Sequence, residues 1–419
     1  MNKFSKYKET NSDWIGSIPT EWRLIRGRFL FNSKKELNHD LQCENLLSLT
    51  LSGVLNKDYH SNDGLRPENY NSFQIFEKND LVFKMIDLEN VNTSRVGIVP
   101  EEGIMSPVYL RHEPIKNKID PKFAYWFYYD LYKKEIYNSI GSGVRASLSS
   151  SDLLEIQLPV PPIIEQKRIS LYLDKKTKQI DRLVLKIQKK IELLREQRVS
   201  QINHYVTKGL NPNVDMKDSG VEWIGEIPKH WDCKKLKFVS KQISEKRLPA
   251  QGDIKISPEN VESESGKIIN FYSEYDTEGQ IFSTGDILFN KLRVYLNKVV
   301  LCDFSGLSMG EMIVIRPKQI FGPFLHRILN SAGFIDHVNS LANGVKVPRP
   351  PVDGIFNSSI PFPPESEQIE IFKHLDTDLK KIDYLIEKHM DQINLVTEYR
   401  QSLISSVVTG KLRVTEELI

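Results

Sequence analysis

The sequence predicts a mixed α/β protein in which one module, a globular domain followed by a long helix, occurs twice. Three observations predict this fold class. A tryptophan signature is repeated, a proline-led helical segment is repeated, and short apolar runs alternate with turn residues between them. The composition agrees, because 40% hydrophobic and 27% charged residues are ordinary for a chain that buries sizeable cores.

The repeated segments establish a duplication. Residues 13–22 read DWIGSIPTEW and residues 222–231 read EWIGEIPKHW, with six of ten positions identical. Residues 159–207 and 361–409 align without a gap and share 21 of 49 positions. Both long segments begin with a proline cluster, PVPPIIEQ or PFPPESEQ, which suits the start of a helix but not its interior.

The duplication divides the chain into five predicted segments. A first domain at 1–158 is followed by a long helix at 159–208 and a linker at 209–221. A second domain at 222–360 is followed by a second long helix with its tail at 361–419. The linker is rich in Gly, Asn, Pro and Asp, which is typical of a turn between copies.

Apolar residues recur at steps of three and four along each long segment, which predicts one buried seam per helix. The seam positions are Leu173, Ile180, Val184, Ile187, Ile191 and Leu194 in the first copy, and Leu375, Ile382, Ile386, Ile393 and Val396 in the second, with His389 opposite Ile187. A helix of about 45 residues is roughly 65 Å long and cannot bury its seam on a small domain. We therefore expect the two helices to pair with each other.

The charges of the two helices favour that pairing. Residues 165–208 hold 12 basic and 5 acidic residues, whereas residues 367–410 hold 5 basic and 8 acidic residues. Opposite net charges favour association of the two helices over pairing of like with like.

Short apolar runs in each domain predict the elements of a mixed α/β fold. In the first domain we expect strands at 79–86, 94–100 and 106–110, and a helix at 123–140. In the second we expect strands at 285–296, 298–303 and 311–317, and a helix at 324–339. Outside the repeated signatures the two domains share little sequence, so each domain is expected to recognise something different.

Several function classes are disfavoured by what the sequence lacks. Cys43, Cys233 and Cys302 are odd in number and far apart, which argues against disulfides or a zinc site and favours a cytoplasmic location. No signal-peptide pattern and no membrane-spanning apolar run is found. No P-loop, dinucleotide fingerprint or amino-methyltransferase motif is present, and no nuclease carboxylate cluster is convincing. We expect no catalytic, cofactor-binding or metal-binding residue in this chain.

The ordered, duplicated motifs resemble the specificity subunits of type I restriction–modification systems. The resemblance rests on the segment TKGLNPNVDMKDSGVEWIGEIPKHW, on the PPxxEQ entry to each long helix, and on the VTxGL or VTGKL exit. It covers essentially the whole chain. It implies two target-recognition domains separated by two long antiparallel helices that form a coiled coil, with an internal pseudo-two-fold repeat.

The resemblance also implies the partners. Double-stranded DNA would be read as a bipartite, asymmetric site, because two differing domains approach it from opposite directions. Two methyltransferase subunits would bind this chain, and restriction subunits would join in the full complex, with no membrane involved. The partners, not this chain, would use S-adenosylmethionine, ATP and Mg.

Candidate DNA contacts are basic residues that follow strands, since loops on a rigid framework carry recognition. They are Lys84, Arg95 and Arg111 in the first copy, and Lys291, Arg293 and Arg316 in the second. The segments 141–147 and 342–348 match each other as GSGVRAS and ANGVKVP, and look like the family's glycine-containing loop. Arg145 and Lys346 are therefore the strongest pair of candidates.

Two alternative functions remain open at the level of sequence. The chain could serve a type II-like system whose methyltransferase and nuclease are fused in one partner. It could instead be a coiled-coil scaffold with two protein-binding domains, which a net charge of only +2 permits. That low charge supplies little sequence-independent attraction to phosphates, so we expect weak DNA binding by the chain alone.

Overall fold

The computed structural model describes residues 3–57, 70–88, 93–140, 147–271, 274–342 and 349–418. It divides into two compact units. Unit 1 comprises residues 1–187 and 391–419, and unit 2 comprises residues 188–390. Each unit therefore contains one globular domain together with parts of both long helices, a division that differs from the five segments expected along the chain.

Unit 1 opens with a hairpin that contains the first tryptophan signature and continues into small antiparallel sheets. Its strands are β1 (Tyr7–Glu9), β2 (Ser17–Pro19), β3 (Arg23–Arg26), β4 (Phe31–Asn32), β5 (Leu47–Thr50), β6 (Gly53–Asn56), β7 (Gln74–Phe76), β8 (Leu81–Phe83), β9 (Val96–Ile98), β10 (Gly103–Met105), β11 (Leu110–Pro114) and β12 (Gln157–Val160). Its helices are α1 (Pro121–Lys133), α2 (Ile136–Ile140), α3 (Ser150–Glu155) and the beginning of α4 (Ile163–Lys208).

Unit 2 repeats this plan. Its strands are β13 (Met216–Asp218), β14 (Glu226–Pro228), β15 (Asp232–Lys235), β16 (Ser240–Ile243), β17 (Lys246–Arg247), β18 (Lys255–Ile256), β19 (Gly279–Phe282), β20 (Ile287–Asn290), β21 (Val299–Leu301), β22 (Gly306–Ser308), β23 (Met312–Pro317) and β24 (Ser359–Phe362). Its helices are α5 (Leu236–Val239), α6 (Gly322–Leu329), α7 (Ala332–Ser340), α8 (Val352–Asn357) and the beginning of α9 (Glu365–Val408).

Three features recur in both units, and we call them the shared frame. The signature hairpin pairs β1 with β2 and β13 with β14. The strand after the signature pairs with the strand before the long helix, β3 with β12 and β15 with β24. A four-stranded sheet has the order β4-β11-β8-β9 in unit 1 and β16-β23-β20-β21 in unit 2. The duplication in sequence is therefore a duplication in structure.

The remaining strands of each unit form what we call the inserted sheets. In unit 1, β7 pairs with β10, Leu37 bridges to β7, and Leu46, beside the hairpin β5-β6, bridges in parallel to β10. In unit 2, β17, β19, β22 and β18 form one sheet in which β18 pairs in parallel with β22. The described strands of the two inserted sheets thus follow one order, while their sequences differ.

Several element bounds differ from those expected from the sequence. The expected strand at 106–110 begins four residues later, at β11, because the Tyr109 N–H closes a turn with the Ser106 carbonyl. The expected helix at 123–140 is interrupted where Glu135 adopts a left-handed φ of 57°. The expected strand at 285–296 ends at Asn290. Ser331 caps α7, so the expected helix at 324–339 is two helices.

The PPxxEQ glutamines fix the start of each long helix to its domain. Gln166 is buried, its Oε1 accepts from the Asp120 N–H at 2.7 Å, and its Nε2 donates to the Pro161 carbonyl at 2.8 Å. Gln368 is also buried and makes the equivalent bonds, 2.8 Å each, to the Phe321 N–H and the Pro363 carbonyl. Each glutamine thus satisfies main-chain groups that burial would otherwise leave unpaired.

The exit of each long helix packs against a signature tryptophan. Gly410, at φ +73°, leaves no room for a Cβ beside Pro19 and Trp22 in unit 1. Gly209, also at φ +73°, lies against Trp231 in unit 2. Both tryptophans are fully buried. Only glycine combines this close approach with this backbone conformation at little cost, which accounts for the glycine that ends each helix.

The two long helices run antiparallel within each unit. In unit 1, Arg168 of α4 pairs with Glu416 after α9, and Asp181 pairs with Arg400. In unit 2, Arg198 pairs with Asp383. All eleven apolar seam residues, and His389 as well, are buried or half-buried. The predicted pairing of the helices through their seams is confirmed.

Candidate nucleic-acid interface

Four of the eight basic residues expected to contact DNA lie in one loop of each unit, namely Lys84 and Arg95 in unit 1 and Lys291 and Arg293 in unit 2. This recognition loop joins β8 to β9 in unit 1 (84–95) and β20 to β21 in unit 2 (290–298). It is closed in the same way in both units: the Lys84 N–H donates to the Arg95 carbonyl at 3.0 Å, and the Asn290 N–H donates to the Lys298 carbonyl at 3.1 Å. The rigid four-stranded sheet therefore presents an equivalent loop in each copy.

Arg95 holds the recognition loop of unit 1 together from inside. The residue is only 2% exposed, and its guanidinium donates to the carbonyls of Ile86 at 3.1 Å and Asp87 at 2.6 Å. Burial lowers its pKa below the ordinary value for arginine. Lys84 is half-buried, with Nζ at 3.3 Å from the Thr93 hydroxyl. The expectation that Arg95 faces DNA is therefore wrong, because its donors are used by the loop itself.

The recognition loop of unit 2 uses an amide for the same purpose. The Asn290 side chain donates to the Leu292 carbonyl at 2.7 Å and accepts from the Leu292 N–H at 3.1 Å. Arg293 adopts a left-handed φ of 50° and is exposed, and none of the contacts of the described residues engages its guanidinium. Tyr295, two residues further, is 56% exposed. A cation and an aromatic ring thus project from a loop that is ordered by its own main chain.

Lys291 and Arg349 flank this loop and share one carboxylate. Glu311 accepts from Lys291 at 2.7 Å and from Arg349 at 3.1 Å. The Lys291 side chain is 27% exposed and that of Arg349 is 53% exposed. An ion pair that is this accessible can exchange its carboxylate for a phosphate oxygen at small cost. Among the described residues, this ion pair brings two cations to one carboxylate beside the loop.

Arg111 and Arg316 form an equivalent clamp in each unit, because each binds the aspartate in the turn before the neighbouring strand. Arg111 is buried and binds Asp80, Glu36 and the Ile75 carbonyl. Arg316 binds both oxygens of Asp286 at 2.7 Å. Each aspartate also accepts from the main chain three residues earlier, which fixes the turn before β8 or β20.

These contacts account for the charge state of both arginines. Burial alone would lower the pKa of Arg111, but the carboxylates of Asp80, Glu36 and Glu77 raise it above the ordinary value. The hydrogen bonds of Arg316 to Asp286 raise its pKa. Both arginines hold the sheet that supports the recognition loop. Arg111, which was expected to contact DNA, is buried in this role, whereas Arg316, with 42% of its side chain exposed, stays a predicted DNA contact.

Arg145 and Lys346, the strongest candidates from the sequence, lie outside the described residues. The described residue Leu148, which follows the first of these segments, donates its N–H to the Met85 carbonyl at 2.9 Å. The role of Arg145 and Lys346 in DNA contact stays a prediction.

Tyr295 and Arg349 were not identified from the sequence. Tyr295 lies within what was expected to be one long strand at 285–296, so its exposure on a loop could not be anticipated. Arg349 stands in a run of prolines with no strand before it. The available signal was the alternation of basic and aromatic residues in NKLRVY, a pattern that suits single-base and phosphate contacts.

Within the described ranges, no group of three or more His, Cys, Asp or Glu side chains is arranged to hold a metal ion. In the same part of the chain, no helix has the length and apolar character needed to cross a bilayer. The arrangement offers hydrogen-bond donors, cations and an aromatic ring on ordered loops, which is the chemistry of binding.

A duplicated frame whose two copies carry different residues on their inserted sheets and recognition loops defines a two-part protein. Comparison with known proteins shows which family it resembles. Residues 54–193 match the model of the type I restriction modification DNA specificity domain. The chain is 24% identical to the putative type I restriction enzyme MjaX specificity subunit of Methanocaldococcus jannaschii, over 97% of this chain and 98% of that one.

Two further likenesses agree. The type I restriction enzyme EcoDI specificity subunit of Escherichia coli is 24% identical over 72% of this chain and 71% of its own length. The MjaVIII specificity subunit of M. jannaschii is 26% identical over 75% of each chain. The chain is thus similar to specificity subunits of type I restriction–modification systems, as its motifs predict.

Solved structures share the fold at 15% sequence identity. One is a chain from a study of complex assembly and conformational transition of the type I R-M system, with a TM-score of 0.70 over 94% of this chain and 99% of that one. Another is the HsdS subunit from Thermoanaerobacter tengcongensis, with a TM-score of 0.53 over 96% of this chain and all of the other. The predicted fold class is confirmed.

Proposed function

We propose that this chain reads a bipartite, asymmetric DNA target and directs methyltransferase and restriction subunits to it. One observation carries the proposal: the shared frame is repeated, while the residues of the inserted sheets and recognition loops that it supports differ in sequence. Equal frames give two equivalent ways of approaching DNA, and unequal interiors give two different half-sites. A target with two unlike halves follows from this combination.

Base selection in the second half-site is assigned to the recognition loop of unit 2. Arg293 is exposed and unpaired among the described contacts, so its guanidinium is available for the acceptors of a guanine. Lys291 and Arg349 supply phosphate contacts that position the loop without reading sequence. In the first half-site, Lys84 and Arg145 take the corresponding roles.

Two partner subunits are supported by duplicated exposed leucines on the long helices. Leu183 of α4 corresponds to Leu385 of α9, and their exposures are 42% and 44%. Leu193 corresponds to Leu395, and their exposures are 51% and 65%. Exposed leucines at equivalent positions of a helix pair suit a partner that binds twice through the same surface.

Catalysis is assigned to those partners. Methyl transfer would use S-adenosylmethionine, and restriction would use ATP and Mg, all bound outside this chain. The present chain would supply recognition, geometry and two docking surfaces.

The proposal is tested by gel-shift titration of the chain together with its methyltransferase subunit. We expect tight, sequence-dependent binding by the complex and weak binding by the chain alone, because the near-neutral charge gives little general attraction to phosphates. A complex that binds all DNA sequences equally would refute the proposed function.

A further inference from the structure

One exposed phenylalanine occurs at the same position in both units. Phe29 follows the first signature and Phe238 follows the second, at the same offset of 209 residues that relates Trp22 to Trp231. Their side chains are exposed by 56% and 62%. Between residues 23–33 and 232–242 this phenylalanine is the single identical residue of eleven. Packing does not require it, since both rings point away from their cores.

Both rings are held outward by well-ordered neighbours. Phe29 ends a 3₁₀ turn at Gly27–Phe29, and Phe238 lies in α5. The residue after each phenylalanine, Leu30 or Val239, is buried. Its carbonyl accepts a hydrogen bond from a main-chain N–H in the loop before α1 or α6. The Ile115 N–H donates to Leu30 at 2.8 Å, and the Lys318 N–H donates to Val239 at 2.9 Å. The exposed rings are therefore fixed features of the surface.

One cation lies over each ring. The guanidinium of Arg28 lies 5.3 Å from the Phe29 ring centre, and the ammonium of Lys237 lies 5.4 Å from that of Phe238. In unit 1 the exposed Lys118 is also adjacent, because its Nζ donates to the Phe29 carbonyl at 3.2 Å.

The ring of Phe29 borders a groove at the entry to α4. Its lining includes Ile25, Pro161 and Pro162, so part of the surface beside the ring is apolar. Arg28 shares the Glu155 carboxylate with Arg26, which limits but does not cancel the positive charge at the edge. The surface combines an apolar centre with a basic rim.

We propose that the Phe29 and Phe238 patches are anchor sites for two copies of one protein partner, each presenting an apolar socket with an acidic rim. This rests on the proposed function, in which the partner present twice is the methyltransferase subunit. An identical exposed residue in otherwise diverged segments fits a partner that meets both units through one surface. DNA fits less well, because the two half-sites differ and a phenylalanine has no donor for a phosphate.

The test uses full-length chain mixed with its methyltransferase subunit, with native mass spectrometry for stoichiometry and titration for affinity. We expect wild type to bind two copies. We expect Phe29→Ala and Phe238→Ala each to weaken one of the two binding events by at least about tenfold, and the double variant to weaken both. Lys118→Glu and Lys237→Glu should weaken the same events, with less effect at high salt.

Leu248→Ala is the matched control, because Leu248 is 64% exposed but has no equivalent in unit 1. It should leave both events unchanged. Circular dichroism checks that each variant is folded. Two partner copies bound with unchanged affinity by the double variant would overturn the inference. So would unchanged partner binding with uniformly weaker DNA binding, since the patches would then contact DNA. Either result leaves the sequence preference of the wild-type complex, and with it the proposed function, intact.

Discussion

Arg400 Nε donates to Asp181 Oδ1 at 2.9 Å, and the same bond recurs in unit 2 between Arg198 and Asp383 at 3.1 Å. The residues of the two pairs correspond at the offset of 202 that relates the long helices. Each copy therefore supplies the arginine of one pair and the aspartate of the other. The contacts that join the two antiparallel helices are therefore duplicated as well.

Replacing Arg400 by Ala should destabilise unit 1 by about 1–2 kcal/mol. The Arg400 side chain is only 18% exposed, and its guanidinium also lies 5.6 Å from the Tyr129 ring centre, so packing and charge are lost together. Urea unfolding would measure the change. A double-mutant cycle with Asp181→Ala isolates the ion pair.

Lys189→Ala serves as the control for this prediction. Lys189 pairs with Glu192 on the surface of a single helix, and both side chains are about 60% exposed. We expect a much smaller change than for Arg400→Ala, because water screens this exposed pair. An Arg400→Ala variant as stable as the control would show that the repeated Arg–Asp ion pair does not hold the two long helices together.

We expect Arg111→Ala to lower the free energy of unfolding and to leave base recognition unchanged. The substitution leaves the Asp80 carboxylate buried without its cation, which costs about 3–5 kcal/mol for a fully buried pair. Arg316→Ala should cost less, because the Arg316 side chain is 42% exposed and water can solvate Asp286. Thermal unfolding would rank the two.

For the fraction that remains folded, methylation of the wild-type target sequence should be unchanged in the Arg111→Ala variant. A shift of the target sequence with undiminished stability would restore Arg111 as a reader.

The fold was more predictable from the sequence than the interface. The repeats and seam periodicity predicted the frame because packing imposes regular spacing on apolar residues. Arg95 and Arg111 were predicted to contact DNA because a basic residue after a strand gives the same sequence pattern whether its side chain faces solvent or a buried acceptor. Asp80 lies 31 residues from Arg111, and that contact depends on strand pairing that the sequence alone does not specify.

The contacts made by the end of each long helix could not be predicted from the sequence either. Nothing in the order of segments indicates that the exit of the first long helix packs on the second signature, or that Gly410 packs on Trp22. Such contacts join parts of the chain that are far apart in sequence, so local patterns carry no record of them.

Acid should destabilise both units through one buried histidine in each. Burial lowers the pKa of His112 to about 4 and that of His326 to about 4, from an ordinary value near 6.5. Because the folded pKa is depressed, the neutral form is favoured on folding. The stabilising contribution is present above pH 6.5 and is lost as the pH falls from 6.5 towards 4, by at most about 3 kcal/mol per histidine.

Urea unfolding at pH 7 and at pH 4.5 measures this loss. His112→Gln removes one titrating group, so the difference in unfolding free energy between the two pH values should become smaller. An equal difference in the variant and in wild type would exclude His112 as the cause.

We expect Tyr295→Ala and Arg293→Ala to weaken binding of the complex to its specific DNA target by about tenfold or more. Each should also relax the base preference in one half-site. Arg349→Ala should weaken binding to all sequences alike, because a phosphate contact carries no base information. Phe271→Ala, at 58% exposure and distant in sequence from the recognition loop, is a suitable control. Binding affinities for a panel of single-base variants of the target would separate the two outcomes.

The central claim is that two unlike domains on equivalent frames read two unlike half-sites independently. Exchanging residues 217–360 for the second domain of another family member, followed by methylome sequencing of a host that expresses the complete system, tests it most directly. The account predicts a new sequence in one half-site and an unchanged sequence in the other. A change in both half-sites would contradict it.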